Sequence, residues 1–385
     1  MTITATTRHD QQSPEQPTVF LAFELGVNPW KLACTTGPAQ RPRERSGPAR
    51  DIAAVREEMV RAQPRFGVPE AARVVRCDEA GRDGFWLHRD AVAQGVANVV
   101  VASSSLEVKR HYRRAKTDRL DVYKRLTMLR RHAAGERKVW RVVHVPSVDA
   151  EERRQLHRAL LTATRDRTRV SNRLKGLLAS QGLTRPRRGD FLQQLEHLRL
   201  WDGSPVPPGL RQRLVREGEQ WAGLSPQVAQ LEATRQERLR SAEDTAMGQG
   251  RRLLPLKGMG VNSAWVFVME FFGWRAFRRG KEVGALGGLS PTPHARGTTT
   301  YEVGIAKAGN RHLRALAIEV AWGGLRFPPA SALARWSQAR FGQGRSRLRR
   351  IGIVALARKL LMALWRFLET GALPAGAALK TTVRI

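Results

Sequence analysis

The chain is poor in cysteine: Cys34 and Cys77 are its only two. Two thiols support neither a disulfide framework nor a zinc cage, and they fit a reducing cytoplasm. Long apolar runs are also missing. Among the longest is Ile351–Ala357, far short of the ~18 residues a membrane-spanning helix needs, so no membrane partner is expected. Residues 1–17 are polar and lack the apolar stretch of a secretory leader, so they read as a disordered tail. Acids are scarce as well. Against 34 Asp and Glu stand 67 Lys and Arg, for a formal net charge of +33.

That excess is mostly arginine and runs the length of the chain. The guanidinium fork matches phosphate oxygens, so the expected partner is a polyanion, with nucleic acid ahead of a membrane surface. An arginine-rich coding background explains part of the arginine but not a twofold excess over acids. Localisation is then expected to be cytoplasmic and associated with the nucleoid.

At 385 residues the chain is long enough for two or three domains. Thr18–Glu24 and Trp30–Thr35 are apolar runs about Asn28-Pro29 and read as a hairpin. Gly37–Arg50 is rich in Pro, Gly and Arg and reads as a loop. Asp51–Gln63 has helical spacing, Arg73–Cys77 reads as a strand, Phe85–Gly95 as a helix, and Val96–Ala102 as a buried parallel strand. Thr117–His132 predicts a helix from Leu120, Tyr123, Leu126 and Leu129; Val139–Val145 looks strand-like. The expected fold is therefore α/β plus all-α: a mixed α/β domain over 18–146, a helical arm over 147–248, a mostly helical C-terminal domain over 249–376, and a tail over 377–385.

Four acids stand where metal chemistry wants them. Glu24 ends the first strand and Glu79 follows the third. Asp118 and Asp121 are three apart on one helix, hence on one face. Carboxylates at strand ends and on a facing helix can hold Mg²⁺ or Mn²⁺ for phosphoryl transfer. Such spacing is common, and a helix cap at Asp118 with a loop acid at Glu79 accounts for it equally. Asp78 is a poorer ligand, because strand neighbours point to opposite faces.

Leu256–Ala264 resembles a helix–hairpin–helix turn. Lys257, Gly258 and Gly260 there can bring backbone amides to a phosphate, or form a tight turn between packed helices. Arg110, Arg113, Arg114 and Lys116 precede the acid pair and suit phosphate binding; a solvated loop is the alternative. Trp265, Phe267, Phe271, Phe272, Trp274, Trp322 and Trp365 read as core, and His88 and His111 receive no role. Gly309-Asn310 reads as a turn and helix N-cap.

Several motifs occur in a family order. Lys116-Thr117-Asp118-Arg119-Leu120-Asp121 resembles the Lys-Thr-Asp-x-x-Asp signature of the insertion sequence 110 transposases, and Glu79-Ala80-Gly81 their Glu-Ala-Gly segment. Leu256–Val261 resembles their Pro-Gly-Ile-Gly motif. Gly288-Leu289-Ser290-Pro291 resembles Gly-Leu-x-Pro, and Lys307–Arg314 resembles Lys-x-Gly-Asn-x-x-Leu-Arg. The resemblance spans residues 18–376.

It implies an RNase H-like (RuvC-like) N-terminal domain carrying the metal-binding and catalytic set Glu24, Glu79, Asp118 and Asp121. It also implies a C-terminal transposase domain with a nucleophilic serine. The implied partners are the DNA of element ends and target, a structured guide RNA, and further copies in a dimer or tetramer. Lys307, Asn310 and Arg314 join the expected nucleic-acid-binding residues.

Two departures stand out. The first family acid is usually Asp and here is Glu24. The family serine position is occupied by Arg296, which has no nucleophilic lone pair. Thr298, Thr299 and Thr300 follow closely, and Thr298 and Thr299 are the candidate substitute nucleophiles. Two readings stay open: a metal-dependent, RNA-guided recombinase, and an impaired relative that binds RNA and DNA without completing transposition.

Overall fold

The computed structural model describes residues 17–106, 118–183, 191–241, 244–296 and 299–381. It divides into two compact units between Val145 and Pro146. Among the described residues no helix is long and apolar enough to cross a membrane.

The first unit is a mixed α/β layer structure. Its strands are β1 (Thr18–Glu24), β2 (Trp30–Thr35), β3 (Arg43–Gly47), β4 (Arg73–Glu79) and β5 (Ala97–Val101). They form one sheet in the order β3-β2-β1-β4-β5. β1, β2 and β3 run antiparallel in sequence, while β4 and β5 run parallel to β1. Between them lie helices α1 (Ile52–Arg65) and α2 (Gly84–Ala93), and after them α3 (Asp118–Ala133).

Strand alternation sends side chains to two cores. Val19, Leu21 and Phe23 pack with Val55 and Ala62 of α1 and Leu87 of α2. Ala22, Val75, Cys77 and Val101 pack with Val122, Leu126, Met128 and Leu129 of α3. Cys34 and Cys77 are buried free thiols.

β3 is a correction to the expected loop over Gly37–Arg50. Its sequence is polar, and opposite faces are held by charge. Arg43 pairs with Glu58 of α1 at 2.8 Å. Glu44 accepts from the Tyr123 hydroxyl at 3.0 Å and pairs with Arg119 at 2.9 Å, both on α3. Val139–Val145 differs in the other direction. It makes only an isolated bridge, Val142 to Val101, and no strand. Leu120 is 54% exposed and not core. A repeat of three drifts around a helix of 3.6 residues per turn, and the buried face of α3 follows Val122, Leu126 and Leu129 instead.

The second unit holds the remaining helices and a hairpin. α4 (Val148–Ala179) and α6 (Pro208–Ser241), 32 and 34 residues long, pack along each other with the short α5 (Phe191–Leu195) against them. Ser147 caps α4, accepting from Ala150 N, and Asp149 and Glu151 favour its N-terminal end. Then come α7 (Thr245–Leu253), α8 (Val261–Phe267) continuing into a π-helical turn at Val268–Phe272, and α9 (Gly280–Leu286). The hairpin β6 (Pro291–Arg296) and β7 (Thr299–Ile305) follows, then α10 (Arg311–Arg326), α11 (Ala332–Phe341) and α12 (Ser346–Thr370). α12 packs against α9, α10 and α11 and carries much of this core.

Trp265, Phe267, Phe271 and Phe272 are buried as expected, but Trp322 is 52% exposed on α10. Residues 377–381 are not a free tail. Lys380 donates from Nζ to the carbonyls of Leu254 (2.7 Å) and Met259 (2.5 Å), and Leu379 bridges to Leu256.

The base of the hairpin is locked by two glycines. Gly288 (φ +69°) and Gly309 (φ +95°) lie in the left-handed region. A Cβ on Gly288 would overlap the carbonyl oxygen of Ala308, and one on Gly309 that of Leu286. The amide of Lys307 donates to Gly288 O at 3.1 Å across this close approach.

Gly309→Ala should therefore destabilise the second unit by about 2 kcal/mol or more. Gly223→Ala, in the interior of α6 with open space around its Cα, should stabilise it by about 0.5–1 kcal/mol. Thermal unfolding of both variants tests the pair, and a Gly309→Ala protein as stable as the parent would refute the lock.

Candidate active site and basic cluster

The acid site follows from strand register. β1 and β4 are parallel neighbours, with Ala22 beside Cys77. Two residues further along each strand, Glu24 stands level with Glu79 and on the same face. Adjacent strands are about 4.8 Å apart, so the two carboxylates emerge side by side at one sheet edge. α3 covers that face and brings Asp121 to them: burial pushes the Glu24 carboxyl up, Arg125 opposes, and both Glu79 and Asp121 push it further. Three of the four expected acids thus share one electrostatic site. Asp118 opens α3, but its side chain lies outside the described residues.

Arg125, one turn after Asp121 on the same helix face, lies between the glutamates. Its side chain is 6% exposed. One guanidinium nitrogen pairs with Glu24 Oε2 and donates to Phe23 O at 2.7 Å. The other donates to Glu79 Oε2 at 2.5 Å. Among the described residues no three His, Cys, Asp or Glu side chains form a ready metal cage.

Asp78 turns to the opposite face, buried, and accepts from Asn98 Nδ2 at 3.1 Å. Burial raises its pKa to about 6. Beside it Arg76 is buried over the Phe23 ring, 4.8 Å from the centroid. Asp78 therefore belongs to the layer beneath the sheet. His88 is half-buried, 3.1 Å from Asn98. Arg110, His111, Arg113, Arg114 and Lys116 lie outside the described residues.

In the second unit Gly258 (φ +85°) forms the turn between α7 and α8, Gly260 is the N-cap of α8, and Lys257 is exposed. Arg296 ends β6 opposite Thr299 in the hairpin register, so the position where the resemblance places the family serine is next to the hairpin tip. The Arg296 side chain and Thr298 lie outside the described residues; Thr299 is exposed. Lys307 is exposed. Arg314 is half-buried and donates to Lys307 O at 3.0 Å.

Asn310 is engaged twice. Its Oδ1 caps α10, accepting from His312 N (2.9 Å) and Leu313 N (3.2 Å). Its Nδ2 donates to Glu270 at 3.3 Å. Glu270, on the π-helical turn, is only 4% exposed and also accepts from Arg154 Nε (3.0 Å) and Arg158 Nε (3.4 Å) of α4. Arg275 donates to the Glu270 carbonyl at 2.8 Å and stacks over Trp274, 3.7 Å from its centroid. Burial, reinforced by Arg154, lowers its pKa to about 9.

Neither Arg125 nor the Glu270 cluster was visible as a site in the sequence. The one signal was an arginine four residues after Asp121 in an apolar stripe.

His157, 3% exposed beside this cluster, has its pKa lowered to about 4 by burial and by Arg235, with Arg158 and His312 adding and Glu270 opposing. Its folded value lies below that of the unfolded chain, near 6.5. The linked stability is present above pH 6.5 and is lost as pH falls toward 4, up to about 3 kcal/mol. His157→Gln should lose less stability over that window. Identical pH–stability slopes for the two proteins would remove this origin.

A family model for the transposase IS116/IS110/IS902 family matches residues 250–337. Those residues hold the α7–α8 turn, the glycine lock, the hairpin tip and Asn310. The protein y4rJ of Sinorhizobium fredii, named as a transposase, is 34% identical over 96% of this chain and 98% of its own. A protein of Pseudomonas aeruginosa named as a family 20 transposase is 30% identical over 61% of this chain and 69% of its own. The transposase for insertion sequence element IS1328 of Yersinia enterocolitica is 25% identical over 45% of this chain and 50% of its own. Since likeness to y4rJ runs nearly end to end and the matched segment carries the second unit's motifs, the chain belongs to the IS116/IS110/IS902 family of insertion-sequence transposases.

Proposed function

We propose that the chain is a metal-dependent DNA transposase, in which an RNase H-type (RuvC-like) first unit supplies the acids and the second unit handles strand exchange. The observation that carries this reading is the pairing of Glu24 and Glu79 at one sheet edge through Arg125, with Asp121 one turn before that arginine on α3, in a chain of this family. The sheet order, an antiparallel trio extended by two parallel strands, supports the RNase H assignment.

The donor set fits a hard divalent ion, Mg²⁺ or Mn²⁺. Arg125 takes the Oε2 atoms of Glu24 and Glu79, and the Oε1 atoms are left out of those pairs. Glu24, Glu79 and Asp121, with Asp118, would hold the ion. When bound, it polarises a phosphate and activates an oxygen nucleophile. Arg125 keeps the two glutamates in place from below.

Phosphate contacts fall to the exposed Lys257 and Lys307 and to the turn at Gly258 and Gly260. Asn310 and Arg314 act on the loop from inside, holding the base of the hairpin. The net charge of +33 supports binding of DNA and of a guide RNA. Assembly of two or four copies would bring element end and target together, in the cytoplasm at the nucleoid.

Arg296 supports a second reading, a relative that grips RNA and DNA without completing transposition. The guanidinium cannot form a covalent phospho-intermediate. Thr299 faces Arg296 across the hairpin tip and is exposed, so it and Thr298 are the substitutes to test.

With Mg²⁺, native flanking RNA and donor and target DNA, Asp121→Asn should lower strand cleavage by about 10³-fold or more, the scale of losing a metal ligand in such chemistry. Activity equal to the parent would refute the metal reading. The parent should form no covalent protein–DNA adduct, and Arg296→Ser should form one. A parent adduct abolished by Thr298→Ala or Thr299→Ala would assign the nucleophile to threonine.

A further inference from the structure

The acid site carries a fixed positive charge that the metal reading does not call for. Arg125 rises from α3 into the face where Val122, Leu126 and Leu129 are buried and apolar. Its guanidinium cannot shed its charge. It is the least exposed member of the group: 6% against 24% for Glu24 and 30% for Glu79. Both terminal nitrogens of the fork are engaged, one on Glu24 and Phe23 O and the other on Glu79, while Nε is buried without a hydrogen-bond partner among the described residues. Both glutamates are therefore drawn toward one cation through their Oε2 atoms, and the Oε1 atoms are outside these pairs.

We propose that Arg125 is a built-in cation of the acid site, taking the place of one of two divalent ions, so that the site accepts a single divalent ion on the solvent side of the guanidinium. This rests on the metal reading above. Two divalent ions about 4 Å apart are tolerated where carboxylates surround both. Here the carboxylates between such positions already embrace a guanidinium, and a second dication would stand against a fixed like charge. The same charge relieves repulsion between Glu24 and Glu79 with no ion bound, so the acids are assembled before metal arrives. A purely structural ion pair would leave metal stoichiometry and affinity unmoved when its cation is altered.

Mn²⁺ binding to the full chain, counted by electron paramagnetic resonance and titration calorimetry, separates these cases. The parent should bind one Mn²⁺, and Asp121→Asn should lose it. Arg125→Leu should bind Mn²⁺ at least about tenfold more tightly and admit a second ion, as expected for removal of a like charge a few ångströms away. Its thermal stability should become strongly Mn²⁺-dependent, while that of the parent moves little. Arg125→Lys retains a point charge but not the fork; it should still bind one ion, several-fold more tightly than the parent. That variant decides the question if Arg125→Leu fails to fold even with Mn²⁺. Two ions on the parent, or unchanged or weaker binding in the folded arginine variants, would overturn the role of Arg125 and leave the metal reading standing. No Mn²⁺ on the parent or on either folded arginine variant would overturn both.

Discussion

Two carboxylates level with each other on neighbouring parallel strands repel, and the first unit is arranged around the answer to that repulsion. The register of β1 and β4 makes the clash unavoidable, because Glu24 and Glu79 end their strands in step and on one face. α3 meets it with Arg125, which ties both acids to the carbonyl of Phe23. The same helix carries Asp121 and buries Leu126 and Leu129 against β1 and β4. Helix, sheet edge and acids are thus one construction: moving α3 away would expose an apolar face and leave two crowded carboxylates without their cation. Removing one partner of such a buried arrangement costs far more than the pair contributes in net stability.

The second unit uses the inverse arrangement. Here positive charge is abundant and one buried acid does the organising. Glu270 gathers Arg154 and Arg158 from α4 and Asn310 from the start of α10. The turn that carries it is π-helical, which widens the helix locally and occurs often at functional sites. In a chain with half as many acids as bases, a buried acid is a scarce counter-charge, and both units place theirs where separate elements must be held together.

What could be read from the sequence tracks how local the cause is. β1, β2, β4, β5 and the long helices follow from apolar periodicity, a local property. The N-cap at Asn310 followed from its own position before a helix. β3 was not legible, because RERSG becomes a strand only through Glu58 on α1 and Tyr123 and Arg119 on α3, partners 15 to 79 residues away. Leu120 and Trp322 were misread because apolar character alone does not say which way a helix face turns. Residues 377–381 looked like a tail because their partners, Leu254 to Met259, are more than 100 residues distant. The acids were legible as a set through motif order, whereas Arg125 is defined by Glu24 and Glu79, about 101 and 46 residues earlier in the chain.

The hairpin bearing Arg296 shows why a chemical change there is separable from the fold. Its base is fixed by close backbone approaches at Gly288 and Gly309 and by the hydrogen bond of Lys307 to Gly288, none of which involves the tip. Asn310, through its cap on α10 and its bond to Glu270, fixes the same base from the other side. Residue 296 pairs with Thr299 through the ladder of β6 and β7, which any residue other than proline can supply. The base of the hairpin that delivers position 296 is therefore set by two glycines and an asparagine outside the tip. Position 296, where the resemblance places a serine, is thus delivered by a ladder that makes no demand on the residue beyond a backbone amide and carbonyl.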